Sequence, residues 1–224
     1  MSTCVVLLSG GLDSATVLGL ARAEGRTVHA LSFRYGQRHR IELKRAEDQA
    51  RLLGAERHVI LDVDLGKIGG SALTDEAIAV PRADLDSREI PVTYVPARNT
   101  IFLAHGLALA EVSGADRIDL GINAVDYSGY PDCRPEYLEA FQRLANLATA
   151  SGVEGRTQVT IHAPLIHLTK AEIIRRGLAC GVDYGRTMSC YEPGPSEAPC
   201  GRCDSCAIRA AAFAEVGIPD PLIR

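Results

Sequence analysis

The chain has 224 residues, 46% of them hydrophobic and 23% charged, with a formal net charge of −4. This is ordinary for a globular α/β protein, and the length suits one domain with a full core. The acidic balance argues against tight nonspecific binding to nucleic acid, though not against RNA on a local basic patch. No apolar run reaches the roughly 18 residues of a membrane span, and the first strand starts too early to leave room for a signal peptide, so a cytoplasmic protein is expected.

Cys4-Val5-Val6-Leu7-Leu8 is short, apolar and partly β-branched, and reads as a strand buried on both faces. Ser9-Gly10-Gly11-Leu12-Asp13-Ser14 follows, and a helix should begin by Ala15. A strand, a Ser/Gly turn and a helix start make an anion site. The glycines allow positive φ and close approach of backbone to a ligand, and the first helical N–H groups favour phosphate. Ser9 and Ser14 add hydroxyl donors. Asp13 would repel phosphate unless a cation lay between, and Mg²⁺ is the natural bridge. No Gly-Lys-Ser/Thr closes the loop, and the Gly-x-Gly-x-x-Gly fingerprint is absent.

A second strand is expected at residues 27–33 and a helix from about 39 to 53, with Ile41, Leu43, Ala46, Ala50 and Leu53 at helical spacing and Gly54 as its C-cap. A third strand at 57–61 completes a right-handed parallel arrangement. The phosphate loop then lies at the carboxyl end of the first strand, where such sheets bind ligands. Regularity fades from 62 to 97, apart from a weak helix around 65–73. That stretch is either a lid over the site or a surface insertion without function. Asn99 is expected to cap an apolar helix over 101–112 that ends at Gly114.

Further strands are expected at 117–121 and 159–163. Pro135 should open a helix to about 150, the capping box Thr169-Lys170-Ala171-Glu172 another to 176, and a last helix should span Asp204–Val216. There is no internal repeat. The pattern predicts a single α/β domain over 1–224, a doubly wound, mostly parallel five-stranded sheet.

Seven cysteines, an odd number, argue against a disulfide framework in a chain expected to be cytoplasmic. Cys190, Cys200, Cys203 and Cys206 have the spacing C-x9-C-x2-C-x2-C. Four thiolates close a tetrahedral shell and exclude water, which is a structural zinc site within a segment at 188–208. An iron–sulfur cluster and a redox pair are the alternatives. Cys4 and Cys180 read as packing residues.

Ser-Gly-Gly-x-Asp-Ser after the first strand resembles the PP-loop of the N-type ATP pyrophosphatases, whose fold is Rossmann-like, of the adenine nucleotide alpha hydrolase type. Four other stretches narrow the resemblance. They are Ser32-Phe33-Arg34-Tyr35-Gly36-Gln37-Arg38-His39, Val95-Pro96-Ala97-Arg98-Asn99, Tyr127-Ser128-Gly129-Tyr130-Pro131-Asp132-Cys133-Arg134, and the cysteine segment with Ser189-Cys190-Tyr191. In this order they are similar to the 7-cyano-7-deazaguanine synthase (QueC) family over nearly the whole chain. Two departures are visible: the family commonly has an acidic residue at Arg34 and a glycine at Ala97.

The resemblance implies an ATP-dependent ligase that makes 7-cyano-7-deazaguanine from 7-carboxy-7-deazaguanine and ammonia, on the way to queuosine, through two adenylations. Ser9, Gly10, Gly11, Leu12, Asp13 and Ser14 would hold ATP phosphates, with Asp13 facing Mg²⁺. Leu31, Ser32 and Phe33 would meet adenine. Arg98 and Lys170 would neutralise phosphate charge in the transition state. For Lys170 the alternative is a solvated lysine at a helix start, but a cation there opposes the macrodipole, which favours function. Arg38 and His39 are weaker candidates. Tyr127, Tyr130, Asp132 and Arg134 would form the substrate loop, by stacking, by accepting from the purine edge and by a fork onto the carboxylate. The alternative is a Gly/Pro-rich turn around a buried tyrosine. The resemblance also implies a homodimer supplied with free ammonia. A tRNA sulfur transferase and a zinc module that binds nucleic acid are the competing classes. The first needs reactive cysteines or an iron–sulfur cluster and an RNA-binding domain; the second needs a basic face.

Overall fold

The computed structural model describes residues 2–39, 41–87, 89–125, 129–194 and 196–223. Five strands, β1 (Thr3–Leu7), β2 (Thr27–Arg34), β3 (Arg57–Asp62), β4 (Arg117–Leu120) and β5 (Thr160–His162), form one sheet in the order β3-β2-β1-β4-β5. All four pairings are parallel. Cys4, Val5 and Val6 of β1 have no exposed surface, because the central strand is covered on both faces. The chain moves outward through β2 and β3, then returns to β4 on the other side of β1. That reversal opens a crevice beyond the carboxyl ends of β1 and β4.

Helices cover both faces. α1 (Leu12–Ala23), α2 (Ile41–Leu52), α6 (Lys170–Ala179) and α7 (Asp204–Val216) pack over a core with Leu18, Ile173, Ile174, Tyr184 and Phe213. α3 (Arg98–Ser113) and α4 (Pro135–Leu147) cover the other face with Leu103, Ile118, Leu120 and Phe141. None of the helices described is long and apolar enough to cross a membrane.

Several boundaries differ from the sequence expectations. The helix expected around 65–73 is one 3-10 turn, Leu65–Lys67. The helix expected to reach 150 stops at Leu147, and Thr149 starts α5 (Ala150–Val153) by accepting from the Gly152 N–H. Asn99 is not the cap of α3. That helix starts one residue earlier, behind Ala97 in the left-handed region at φ 54°. The capping box before α6 is present in both directions.

Residues 62–97 bridge distant parts of the molecule. The Ala83 and Asp84 N–H groups donate to the Arg202 carbonyl at 2.8 Å and the Asp204 carboxylate at 2.9 Å. Farther along, the Thr93 hydroxyl meets the Tyr130 hydroxyl at 2.8 Å.

Candidate active site

The loop between β1 and α1 holds itself in shape. The Ser9 N–H donates to Ser14 Oγ at 3.1 Å, the two hydroxyls are 3.0 Å apart, and Ser14 Oγ donates to the Gly11 carbonyl at 3.1 Å. Gly10 has φ +86°, and a Cβ there would lie 2.1 Å from the Glu42 carbonyl oxygen. Its freedom is spent on close packing against the first turn of α2. Gly11 is extended, at φ −80°, so only one of the two glycines uses the left-handed region. A Cβ on Gly121, just past β4, would meet Asp13 and Ser14 backbone at 2.9 Å, so the loop rests directly on the end of that strand. The C-terminal segment closes over it from the other side. Met188 N–H donates to the Gly10 carbonyl at 2.9 Å, and the Leu12 N–H donates to Ser189 Oγ at 3.2 Å.

Asp13 and Lys170 meet across this crevice. Lys170 Nζ lies 2.8 Å from both carboxylate oxygens, and its side chain is 7% exposed. The capping box orients the first turn of α6 so that this lysine points inward. A solvated helix-start lysine would not be buried in this way.

Arg98 is half-buried at the start of α3, with its guanidinium 6.0 Å from the Tyr35 ring centroid. Burial works against its charge, but Tyr35, Tyr130, Asp132 and Cys133 outweigh burial and hold it protonated. Asp132 is buried and turned toward the helix. Its carboxylate accepts from the Asn99 N–H at 3.1 Å, and Asn99 Nδ2 donates to the Asp132 carbonyl at 3.1 Å. Asp132 therefore supplies the acceptor at the start of α3 that Asn99 was expected to provide. Tyr130 and Cys133 line the cleft, whereas Asp132 and Arg134 do not. Arg134 is exposed and donates to the Pro131 carbonyl at 3.1 Å. Tyr127 lies outside the described residues. The Cys133 thiol is pushed up to about 12 by burial, reinforced by Asp132, so it is no thiolate at neutral pH.

Leu31 and Phe33 line the cleft beyond β2. Ser32 points the other way: it is fully buried, with Oγ 2.5 Å from the Leu8 carbonyl and 2.7 Å from His58 Nε2. Phe33 stacks on Phe102 with ring centroids 3.9 Å apart. Arg38 and His39 also border the cleft. Arg38 is committed to the Asp75 and Ile78 carbonyls, and His39 Nε2 lies 2.8 Å from the Tyr191 carbonyl oxygen.

The sulfurs of Cys190, Cys200, Cys203 and Cys206 all lie within 4.8 Å of one another. Backbone N–H groups of Glu192 and Cys200 approach the Cys190 sulfur at 3.4 and 3.2 Å. Four soft donors so close together, with N–H groups aimed at sulfur, fit a closed tetrahedral metal site.

Three residues of the site escaped sequence reasoning. Ser189 bonds the phosphate loop from a segment 177 positions away. Asn123 is buried at the cleft wall, donating to the Leu165 and Leu168 carbonyls at 2.9 and 2.5 Å. Glu42 lines the cleft from the first turn of α2. Burial pushes its carboxyl up from 4.5 to about 7, against the pull of Arg98. An acid in a first helical turn reads from sequence as a partner for the macrodipole, which hides it.

Together the sheet order, the loop at the carboxyl end of β1 and the crevice at the strand reversal define an α/β fold of the adenine nucleotide alpha hydrolase-like class. NMN synthetase from Francisella tularensis shares the fold, with a TM-score of 0.51 at 15% identity, covering 97% of this chain and 78% of that one. The family description "Queuosine biosynthesis protein QueC" matches residues 3–217, and the chain belongs to the QueC family. It is 64% identical over 217 residues to a 7-cyano-7-deazaguanine synthase of Frankia casuarinae, covering 97% of this chain and 92% of the relative. A second such synthase, from Geobacter metallireducens, is 60% identical over 218 residues, covering 97% and 91%.

Proposed function

We propose that the chain is an ATP-dependent ligase that converts 7-carboxy-7-deazaguanine and ammonia to 7-cyano-7-deazaguanine in queuosine biosynthesis. The observation that carries this reading is one cleft holding the Ser9–Ser14 loop, Lys170 and Arg98 in a member of the QueC family. A carboxylate repels nucleophiles and must be activated. One of its oxygens attacks the α-phosphorus of ATP, and pyrophosphate leaves. Ammonia then adds to the acyl carbon, AMP departs with that oxygen, and nitrogen loses one proton to give the amide. The amide oxygen repeats the attack on a second ATP. Loss of AMP and of two protons from nitrogen leaves the nitrile.

The residues divide this work. N–H groups of the loop and of the first turn of α1, with Ser9 and Ser14, receive the phosphates. Leu31 and Phe33 offer an apolar wall to adenine. Lys170 and Arg98 offset charge that develops between the phosphates. Asp13 has lone pairs beyond those used by Lys170, so it can also hold Mg²⁺, which when bound would neutralise the pyrophosphate. Tyr130 frames the deazaguanine, with Asp132 positioning Arg98 through the start of α3. Arg134, at the rim, can meet the carboxylate only if its loop closes inward. Residues 62–97 act as a lid. Cys190, Cys200, Cys203 and Cys206 hold zinc, which fixes the segment carrying Met188 and Ser189 over the phosphate loop.

We further read the enzyme as a cytoplasmic homodimer that acts on small molecules and not on nucleic acid. Val112, Leu147 and Val153 are exposed on α3, α4 and α5 and are available to an interface; a monomeric mass in sedimentation would remove the dimer. The functional reading is tested by pyrophosphate release from MgATP. Release should require 7-carboxy-7-deazaguanine and nitrile formation should require ammonia as well. Release that ignores the acid would sink the reading, and iron at cluster stoichiometry would redirect it to sulfur transfer.

A further inference from the structure

The reaction just described removes three protons from one nitrogen, and the groups assigned above to phosphate and purine accept none of them. Each proton must leave as a C–N bond forms or as AMP departs. The amide, and then the nitrile, is complete only when these protons have been taken up by a base within reach of the nitrogen.

Few groups in the cleft can serve. Asp13 is ion-paired to Lys170 through both oxygens, and its remaining lone pairs are assigned above to Mg²⁺. Asp132 is turned to the Asn99 N–H and does not line the cleft. The Cys133 and Tyr35 acids are pushed up to about 12 by burial and stay protonated. His39 has its Nε2 on the Tyr191 carbonyl. Glu42 differs from all of these. It lines the cleft from the start of α2, whose backbone is packed against Gly10 of the phosphate loop. Its carboxylate accepts no hydrogen bond and forms no ion pair among the described residues. Its electrostatic partners are Arg98 and Tyr35, which border the same cleft.

We propose that Glu42 is the base that takes these protons from nitrogen, a role that rests on the functional reading above. In the first half-reaction the nitrogen lone pair forms the C–N bond, a proton passes from nitrogen to a Glu42 oxygen, and AMP leaves with the C–O electron pair. Water at the cleft mouth resets the carboxylate. In the second half-reaction Glu42 takes an imidate proton; the N–H electron pair becomes the new C–N π bond as AMP leaves, and water carries away the other proton. A carboxyl raised to about 7 suits this task, because a base works best when its pKa lies near the working pH. The charged and titratable groups that border the same cleft are Arg98 on α3, Arg38 and His39 before α2, the Asp13–Lys170 pair, Tyr35 and Tyr130.

The test compares the wild type with Glu42→Gln and His39→Gln in two assays. The first is ATP–pyrophosphate exchange that depends on 7-carboxy-7-deazaguanine, without ammonia; it reads adenylation alone. The second is nitrile formation at constant free ammonia across pH. Glu42→Gln should keep exchange within a few-fold of wild type and lose nitrile formation by about 100-fold or more. The wild-type rate should rise with pH around a midpoint near 7, a limb that Glu42→Gln lacks and His39→Gln keeps. If Glu42→Gln retains nitrile formation, or loses exchange and nitrile formation in parallel, Glu42 is not the base. Loss of the limb in His39→Gln would move the role to His39. Absence of acid-dependent exchange in the wild type would overturn the parent reading, and the proposal with it.

Discussion

The two ends of the cleft are built by opposite means. At the phosphate end, six consecutive residues, Ser9 to Ser14, bond chiefly to one another and need only Met188, Ser189 and Lys170 from afar. At the substrate end, Arg98, Asn99, Tyr130 and Asp132 come from separate segments and hold each other, with Thr93 bracing Tyr130. A locally coded site keeps its shape when a remote element shifts. A site assembled across segments does not, so damage to the two ends should separate in experiments.

The metal segment is where one substitution should undo both ends. Cys190 follows Met188 and Ser189 over the phosphate loop, while Arg202 and Asp204, flanking Cys203, hold the 62–97 stretch that reaches Tyr130. Zinc binding in small motifs is worth on the order of 10 kcal/mol of folding free energy. Cys203→Ser should therefore give protein without zinc that is insoluble or readily cut by protease, whereas Cys180→Ser should behave as wild type. Full zinc content and normal turnover in Cys203→Ser would remove the link between the ends.

Asp13→Asn should damage the phosphate end alone. The Lys170 ammonium loses its ion-pair partner, and the carboxylate proposed to hold Mg²⁺ is gone, so acid-dependent pyrophosphate release should fall on the order of 10²–10³-fold, the scale of losing one preorganised charge contact. Binding of 7-carboxy-7-deazaguanine, read by calorimetry, should change little. Wild-type turnover with unchanged Mg²⁺ dependence would contradict this assignment.

Asp132→Ala should damage the substrate end most. It removes the acceptor at the start of α3, a loss of about 0.5–2 kcal/mol in stability, and frees Arg98 to move. The KM for the acid should rise more than the KM for ATP. Equal effects on both would make Asp132 purely structural.

Ala97→Gly sharpens the comparison with the smallest effect. Ala97 occupies φ 54°, a conformation that costs a side chain about 1–2 kcal/mol; glycine gives part of this back in unfolded-chain entropy. Urea unfolding should show a gain of at most about 1 kcal/mol, with the ATP requirement unchanged. A loss of stability would mean that the strain at the start of α3 lies elsewhere.

How much could be read from the sequence follows the same division. The β1–loop–α1 unit, the capping box and the cysteine spacing are local signals, and the structure holds all three. Ser32 was grouped with Leu31 and Phe33, but side chains alternate along a strand, so Ser32 must face away from the wall those two share. Asn99 looked like a cap because its real partner, Asp132, stands 33 positions ahead. Asn123 carried no signal, and Ser189 entered only as a neighbour of a metal ligand, since their roles exist only once remote segments meet. Lys170 stood out because its position opposes the macrodipole, and the structure sets the Asp13 carboxylate 2.8 Å from that charge.

The central claim is that one cleft activates the same carbon twice by adenylation, and the fate of oxygen tests it directly. With both carboxylate oxygens of 7-carboxy-7-deazaguanine labelled as ¹⁸O and ammonia and MgATP in excess, each nitrile formed should be matched by two AMP molecules, each carrying a single ¹⁸O. Label in pyrophosphate, in inorganic phosphate formed with ADP, or in only one AMP per nitrile would contradict the account.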